Sequence, residues 1–446
     1  MKLLFVLSEY LPESGGGIIS YYSGILPYLV AKGHSVDVLV ASMRHLDHPD
    51  ILIDGVRVSY LQSEFLEKSK SGFERFQIGY PTFSAFLPLA WAAYEQVSHG
   101  SGYDLVETTD FPLIFTPWVI SRDSPPVIVS LHGSCGQLDW YEHPERNSMD
   151  GDMLRLMERV ALACAPSVYT NSLTNSRFWE GATKRKIDIL PPHQPQIPHL
   201  DFHEGMRSTD GVVVGRFQNW KGSRVLARAI RELPDERVRW IGSDVIDSYT
   251  HLPHSASIHS EFPGVIGSQI LLEGSKSRED VLQEVVGATY LCIPSEWDVF
   301  NLTAVEAMTL GTPVICSKAA GASMLINHGE NGFLFDPGKP EDLAACIRTV
   351  RALSEVDRNN IISHARETIK VRLGSEQLLQ LRIAWYQEVM SCCADWGKDA
   401  WLSDTVSPRE ESSVRLDNLK AYTVKELAKA TVGQISRGLL RKTSNQ

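Results

Sequence analysis

The chain reads as an α/β protein made of two doubly wound, Rossmann-like domains. Three observations carry this expectation. At 446 residues it is longer than one hydrophobic core ordinarily organises. Short apolar runs alternate with amphipathic helical stretches, the rhythm of parallel sheets covered on both faces. A proline-rich break, Pro191-Pro192-His193-Gln194-Pro195-Gln196-Ile197-Pro198, stops that rhythm, which then starts again.

In order, Leu3 to Leu7 is a first buried strand. No small-residue cleavage site follows it, so it does not read as a signal peptide. Gly15-Gly16-Gly17 is a tight turn, and Ile18 to Lys32 an apolar helix ended by Gly33. Strands follow at Ser35 to Ala41, Val56 to Leu61, Asp104 to Glu107 and Val127 to Leu131. Ile78 to Tyr94 is apolar but carries Pro81 and Pro88 and is short for a membrane span, so core helices are expected there. Met153 to Ala163 has helical spacing and precedes a strand at Ser167 to Thr170. After the break come a strand at Gly211 to Val214, a helix at Ser223 to Leu233 and a strand at Val238 to Ile241. Ile270 to Glu273, helix Arg278 to Val286, strand Tyr290 to Ile293, helix Thr303 to Leu310 and strand Pro313 to Cys316 complete the pattern. Gly332 to Phe335 is a last strand, and Pro340 opens another helix at its first turn.

The expected units are an N-terminal domain over 1–192, a linker over 193–208, a C-terminal domain over 209–374, helices over 375–396 and a tail over 397–446. The tail begins polar, Ser403 to Ser413, and reads as loose. Leu419 to Lys442 then places Val424, Leu427, Thr431, Ile435 and Leu439 at helical spacing among Lys and Arg. Such a basic helix can lie on an anionic membrane. Docking on its own domain or on a partner subunit is the simpler expectation. The oligomeric state is not readable.

With 43% apolar and 22% charged residues the composition is that of a soluble globular protein. A net charge of −11 argues against nucleic acid as a partner. The seven cysteines are odd in number, scattered and without metal-ligand spacing, which fits a reducing cytoplasm. A cytoplasmic protein is expected, with peripheral contact at the inner membrane face as the alternative the tail allows.

The most informative segment runs from Pro294 to Met308. Asp298 lies in a loop and Glu306 in the second turn of the following helix. The backbone N–H groups at that helix start form a ready phosphate site. The simpler account is a loop acid and a glutamate on a solvated helix face. A second segment, Gly215-Arg216-Phe217-Gln218-Asn219-Trp220-Lys221-Gly222, follows a strand and precedes a helix. Arg216 offers a planar fork for phosphate and Lys221 a point charge. Both stand beyond a strand's carboxyl end, where open α/β sheets bind ligands. Gly16 and Gly17 allow backbone amides to approach a phosphate or an acceptor, although a plain turn explains them as well. They do not complete Gly-x-Gly-x-x-Gly, which disfavours a nicotinamide-dependent oxidoreductase. His132 ends one strand and Asp110 another; Asp110 could touch an acceptor.

The layout of Pro294 to Cys316, with acid, seven residues, Glu, Ala and then Gly-x-Pro-Val-Ile, resembles the donor-site signature of retaining glycosyltransferases of the GT-B fold, family four. Asp298 stands where that family normally has Glu, and Asn301 where it usually has Gly. The resemblance implies two domains facing across a cleft, acceptor-side then donor-binding, with the helices after 375 crossing back. It implies transfer of a sugar from a nucleotide-diphosphate donor to a saccharide, glycolipid or other glycoconjugate acceptor, as in polysaccharide assembly. It implies that Arg216 and Lys221 clamp the pyrophosphate together with amides at Leu302 and Thr303, with no cofactor and no metal. Glu306 would hold the ribose. Asp298 and the amides of Val299, Phe300 and Asn301 would hold the sugar, with His132 reaching it from the first domain. Gly215 belongs to the clamp, and Gly274-Ser275 resembles the loop that reads the base. Retention comes from the same resemblance, with the leaving phosphate taking the acceptor proton and no general base named. A non-catalytic sugar-nucleotide binder or scaffold of the same fold is the alternative.

Overall fold

The computed structural model describes residues 1–13, 16–77, 79–121, 124–142, 148–195, 197, 208–247, 250–392 and 406–408. The first sheet contains β1 (Lys2–Leu7), β2 (Ser35–Val40), β3 (Ile51–Ile53), β4 (Val56–Tyr60), β5 (Leu105–Thr109), β6 (Val127–Leu131), β7 (Ser167–Thr170) and β8 (Asp188–Ile189). Their spatial order is β3-β4-β2-β1-β5-β6-β7-β8, and every pairing is parallel except β3 with β4. The second sheet contains β9 (Gly211–Val214), β10 (Val238–Ile241), β11 (Ile270–Leu272), β12 (Leu291–Ile293), β13 (Val314–Ser317) and β14 (Phe333–Phe335). It is parallel throughout, in the order β11-β10-β9-β12-β13-β14. The expected α/β class with two doubly wound sheets is what the chain adopts.

Helices cover both faces, so the central strands are buried on both sides. That is why they read as unbroken Val, Ile and Leu runs rather than alternating ones. The antiparallel hairpin β3–β4 was not expected from the hydrophobic pattern. Its signal was the Asp54-Gly55 dipeptide, whose two residues take positive φ (49° and 80°), as a tight hairpin turn demands. The apolar stretch near residue 80 is the helix Pro81–Gln96, with Pro81 in its first turn and most of its length in the first core. Among the described residues no helix is long and apolar enough to cross a membrane.

Two features tie the C-terminal part to the first domain. The helix Ser375–Cys392 packs Leu379, Tyr386 and Val389 against Leu3, Phe5 and Val38. Val406 is buried in the first core, and Arg75 Nη2 donates to the carbonyl of Ser407 at 2.7 Å. Residues 406–408 are therefore docked rather than loose, because Val406 finds apolar partners. The basic helix expected over Leu419 to Lys442 lies outside the described residues.

Candidate functional site

Strand order reverses at β1/β5 in the first sheet and at β9/β12 in the second. Loops leaving strand ends at such a switch point diverge and open a crevice. The loop after β9 carries Gly215, Arg216 and Lys221, and the loop after β12 carries Asp298. Both candidate segments thus meet at one crevice.

Local backbone chemistry brings them together. Gly222 has φ 82° and packs so closely on the carbonyl of Pro294 that no side chain fits there. The amide of Glu296 donates to the carbonyl of Trp220 at 2.9 Å. Lys221 lies along Gly215, and its Nζ donates to Asp298 Oδ2 at 2.8 Å. Asn301 adopts φ 83° and caps the helix Leu302–Leu310: its Oδ1 accepts from the Ala304 amide at 3.3 Å. Its Nδ2 donates to the same Asp298 Oδ2 at 3.0 Å. Asn is among the few non-glycine residues that tolerate this conformation. It therefore keeps the glycine-like backbone and adds an anchor for the shorter Asp298.

Asp298 and Glu306 are both nearly buried, and they have different cationic partners. Arg278 Nη2 donates to Glu306 Oε1 at 3.0 Å. Burial pushes the Glu306 pKa up, and Arg278 opposes the shift. Sequence reasoning missed Arg278 because nothing local marks it; it opens the helix Arg278–Gly287, which Ser277 caps. Gly274 takes φ 69° and its carbonyl accepts from the Gly242 amide at 2.8 Å, while Ser275 is exposed beside it. Val299 and Phe300 are buried, whereas Leu302 and Thr303 are half-buried at the helix start.

Arg216 is exposed and has no ion-pair partner among the described residues. It faces two carboxylates of the first domain. Burial raises the pKa of Glu9 and of Glu142, and Arg216 pulls each back down. Glu142 also accepts from the amides of Asn219 and Trp220 at 3.3 and 3.4 Å. Asn219 Nδ2 bonds the carbonyls of Tyr141 and Glu142, both at 3.2 Å. Tyr141 stacks on Trp297 with ring centroids 5.0 Å apart. The helix Cys135–Glu142 therefore holds the loops after β9 and β12 from the opposite wall.

His132 follows β6 and belongs to this meeting point. A side chain on Gly133 would lie 3.2 Å from the ring of Trp297. The His132 ring packs against Tyr21 and Tyr22, with Nε2 2.8 Å from Ser130 Oγ. Burial lowers its pKa to about 3, so the imidazole is neutral at physiological pH. Asp110 does not face an acceptor. It is wholly buried, and its two oxygens accept from the amides of His132 and Gly133 at 2.8 and 3.2 Å. Its work is to shape the His132 turn. Burial raises its pKa to about 7 against those two donors.

Gly16 precedes the helix Gly17–Ala31, but the room it leaves is filled by the Glu9 carboxylate. The close approach that Gly16 permits is thus made by the chain's own acid. Gly17 is open, with nothing near its Cβ position.

Two parallel sheets whose carboxyl ends meet at one cleft define the GT-B class. Residues 207–368 match the model for glycosyl transferases group 1, and residues 16–179 match the glycosyl transferase 4-like domain. A relative described as an uncharacterized glycosyltransferase, from Methanocaldococcus jannaschii, is 25% identical over 87% of this chain and 99% of its own. A D-inositol 3-phosphate glycosyltransferase from Mycobacterium sp. is 31% identical over 36% of each chain. Among solved structures, sucrose-phosphate synthase from Thermosynechococcus elongatus superposes with TM-score 0.66 at 18% identity, covering 88% of this chain and all of that one. Anabaena HepE in complex with UDP-glucose superposes with TM-score 0.61 at 17% identity, covering 87% of this chain and all of that one. The chain belongs to the glycosyl transferases group 1 and is a glycosyltransferase of the GT-B fold.

Proposed function

We propose that this enzyme is a retaining, metal-independent glycosyltransferase that moves a sugar from a nucleotide diphosphate to a saccharide, glycolipid or other glycoconjugate acceptor. One observation carries the reading. Arg216, Lys221 and the start of the helix Leu302–Leu310 converge on one switch point, with Glu306 in the second turn of that helix. Two cations and helix-end amides supply the positive charge that a departing diphosphate requires. In the ligand-free protein Asp298 neutralises Lys221. An arriving diphosphate takes Lys221 as a partner, and Asp298 turns to a hydroxyl of the transferred sugar. Glu306, an acceptor with two oxygens, suits the vicinal ribose diol. Neutral His132 can donate or accept one hydrogen bond to the sugar, and the leaving phosphate takes the acceptor proton. HepE has been crystallised with UDP-glucose, which makes UDP the first nucleotide to try.

The test is a thermal-shift panel of nucleoside diphosphates and sugar nucleotides. A ligand that binds the folded state alone raises the melting temperature according to its affinity. Stabilisation by at least one diphosphate is expected, and a flat panel for the wild type would refute the donor site. The Lys221–Asp298 pair also suits a non-catalytic binder, since the cation is already matched. Donor hydrolysis, or transfer to a saccharide, separates the two readings.

A further inference from the structure

The floor of the cleft on the first-domain side is the β1/β5 switch point, and the helix Gly17–Ala31 starts there. A helix start offers several unpaired amides and a partial positive charge, so it attracts an anion. Here it lacks the usual cap, because Gly16 has no side chain. Glu9, which leaves β1 two residues beyond its end, supplies the missing acceptor. Its carboxylate lies directly over Gly16, where even a methyl group would collide with it. The amides of Ile18 and Ile19 and the charge of Arg216 favour its ionised form, and the side chain is only half-buried.

We propose that Glu9 is a specificity-determining residue that keeps anionic acceptors off this floor, so that the hydroxyl compound glycosylated here enters by an uncharged end. The inference rests on the donor reading above and adds the charge class of the second substrate. A phosphate monoester approaching these amides meets a seat already filled by a fixed negative charge. A neutral sugar or polyol meets only a hydrogen-bond acceptor, which suits its hydroxyls. Arg216 does not cancel the acid for an incoming anion, since the donor diphosphate takes up its charge.

Matched probes test this. Melting curves of wild type, Glu9→Gln and Glu9→Ala are recorded with inorganic phosphate, glucose and glucose 6-phosphate, each with and without saturating UDP. Glu9→Gln keeps the size of the side chain and guards against loss of fold. With UDP bound, the wild type is expected to ignore inorganic phosphate and glucose 6-phosphate. Both variants are expected to bind them at least tenfold more tightly than the wild type does, while their UDP shift persists. The proposal is overturned if the wild type binds glucose 6-phosphate as well as Glu9→Ala does. It is equally overturned if no variant gains anion binding. A wild type that UDP leaves unmoved is retested with the diphosphate that does stabilise it; one that no nucleoside diphosphate stabilises would defeat the donor reading instead, and the arms without nucleotide still decide the role of Glu9.

Discussion

Two charge clusters in this molecule are built on opposite plans. Beneath the first sheet's end, Arg382 of the helix Ser375–Cys392 meets Glu107 of β5 in a fully buried pair. Tyr22 and Tyr169 each donate to Glu107 at 2.6 Å, and Tyr386 donates to it too. Arg382 also reaches the hydroxyls of Tyr21, Tyr169 and Tyr386. At the cleft, Lys221 bonds a single oxygen of Asp298 at the edge of solvent. A buried charge is tolerable only when the chain satisfies it completely, and it then locks the elements that carry it. A pair held by one bond at a rim can exchange its partner when a ligand arrives. The first cluster holds the C-terminal helix to the N-terminal domain, and the second remains available for binding.

The contrast is broken most forcefully by Arg382→Ala. It strands Glu107 in the core and should cost about 3–5 kcal/mol of stability by denaturant titration. Lys221→Ala should cost less, about 1–2 kcal/mol, because Asp298 keeps Asn301 Nδ2 as a partner. Comparable losses for the two would erase the distinction. For binding the order reverses. Arg216→Ala and Lys221→Ala should each weaken nucleoside diphosphate binding about 10–100-fold in calorimetry, the worth of a charged hydrogen bond.

Asp298→Ala sharpens the same point. Releasing Lys221 should leave diphosphate binding intact or tighter while sugar transfer falls at least tenfold. Weaker diphosphate binding in that variant would mean that Asp298 orders the site rather than competing for Lys221. His132→Ala should slow transfer by more than it weakens binding of a bare diphosphate; the reverse split in kinetics would remove it from the sugar.

The smallest net effect concerns pH, because two buried groups act with opposite signs over the same range. His132 is neutral in the fold down to about pH 3, whereas an unfolded histidine titrates near 6.5. The unfolded chain therefore binds the extra proton first, and this group's contribution to stability falls as pH drops below about 6.5. Asp110 has the opposite sign. Its folded pKa of about 7 means that the native state keeps a proton the unfolded state has lost, so stability falls as pH rises from about 4 to 7. Imidazole resonances of His132 that move between pH 8 and 5 would contradict its burial.

The strands and the loops after β9 and β12 were legible in the sequence because their signals are local. Apolar runs, a glycine beyond a strand and an acid before a helix all lie within a few residues of one another. The pairing of Glu107 with Arg382 was not legible, since 275 residues separate them and no local pattern joins them. Glu9 was missed for a related reason. The glycines at 16 and 17 suggest space for a ligand phosphate, but the fold brings the Glu9 carboxylate onto Gly16. Arg278 and Glu142 look like ordinary charges on helices until the crevice is assembled around them. Asn301 was the opposite case: a visible departure from the family pattern whose compensation, a left-handed cap tethered to Asp298, needed three dimensions to see.

The flat ring of Tyr141 against Trp297 makes a reporter of the cleft. Aromatic stacking adds only about 0.5–1.5 kcal/mol beyond the area it covers. Four hydrogen bonds, from the amides of Asn219 and Trp220 to Glu142 and from Asn219 Nδ2 to the carbonyls of Tyr141 and Glu142, reinforce it across the same gap. One of its two rings sits on the very loop that carries Asp298, so a ligand that displaces that loop should change the light emitted by that indole.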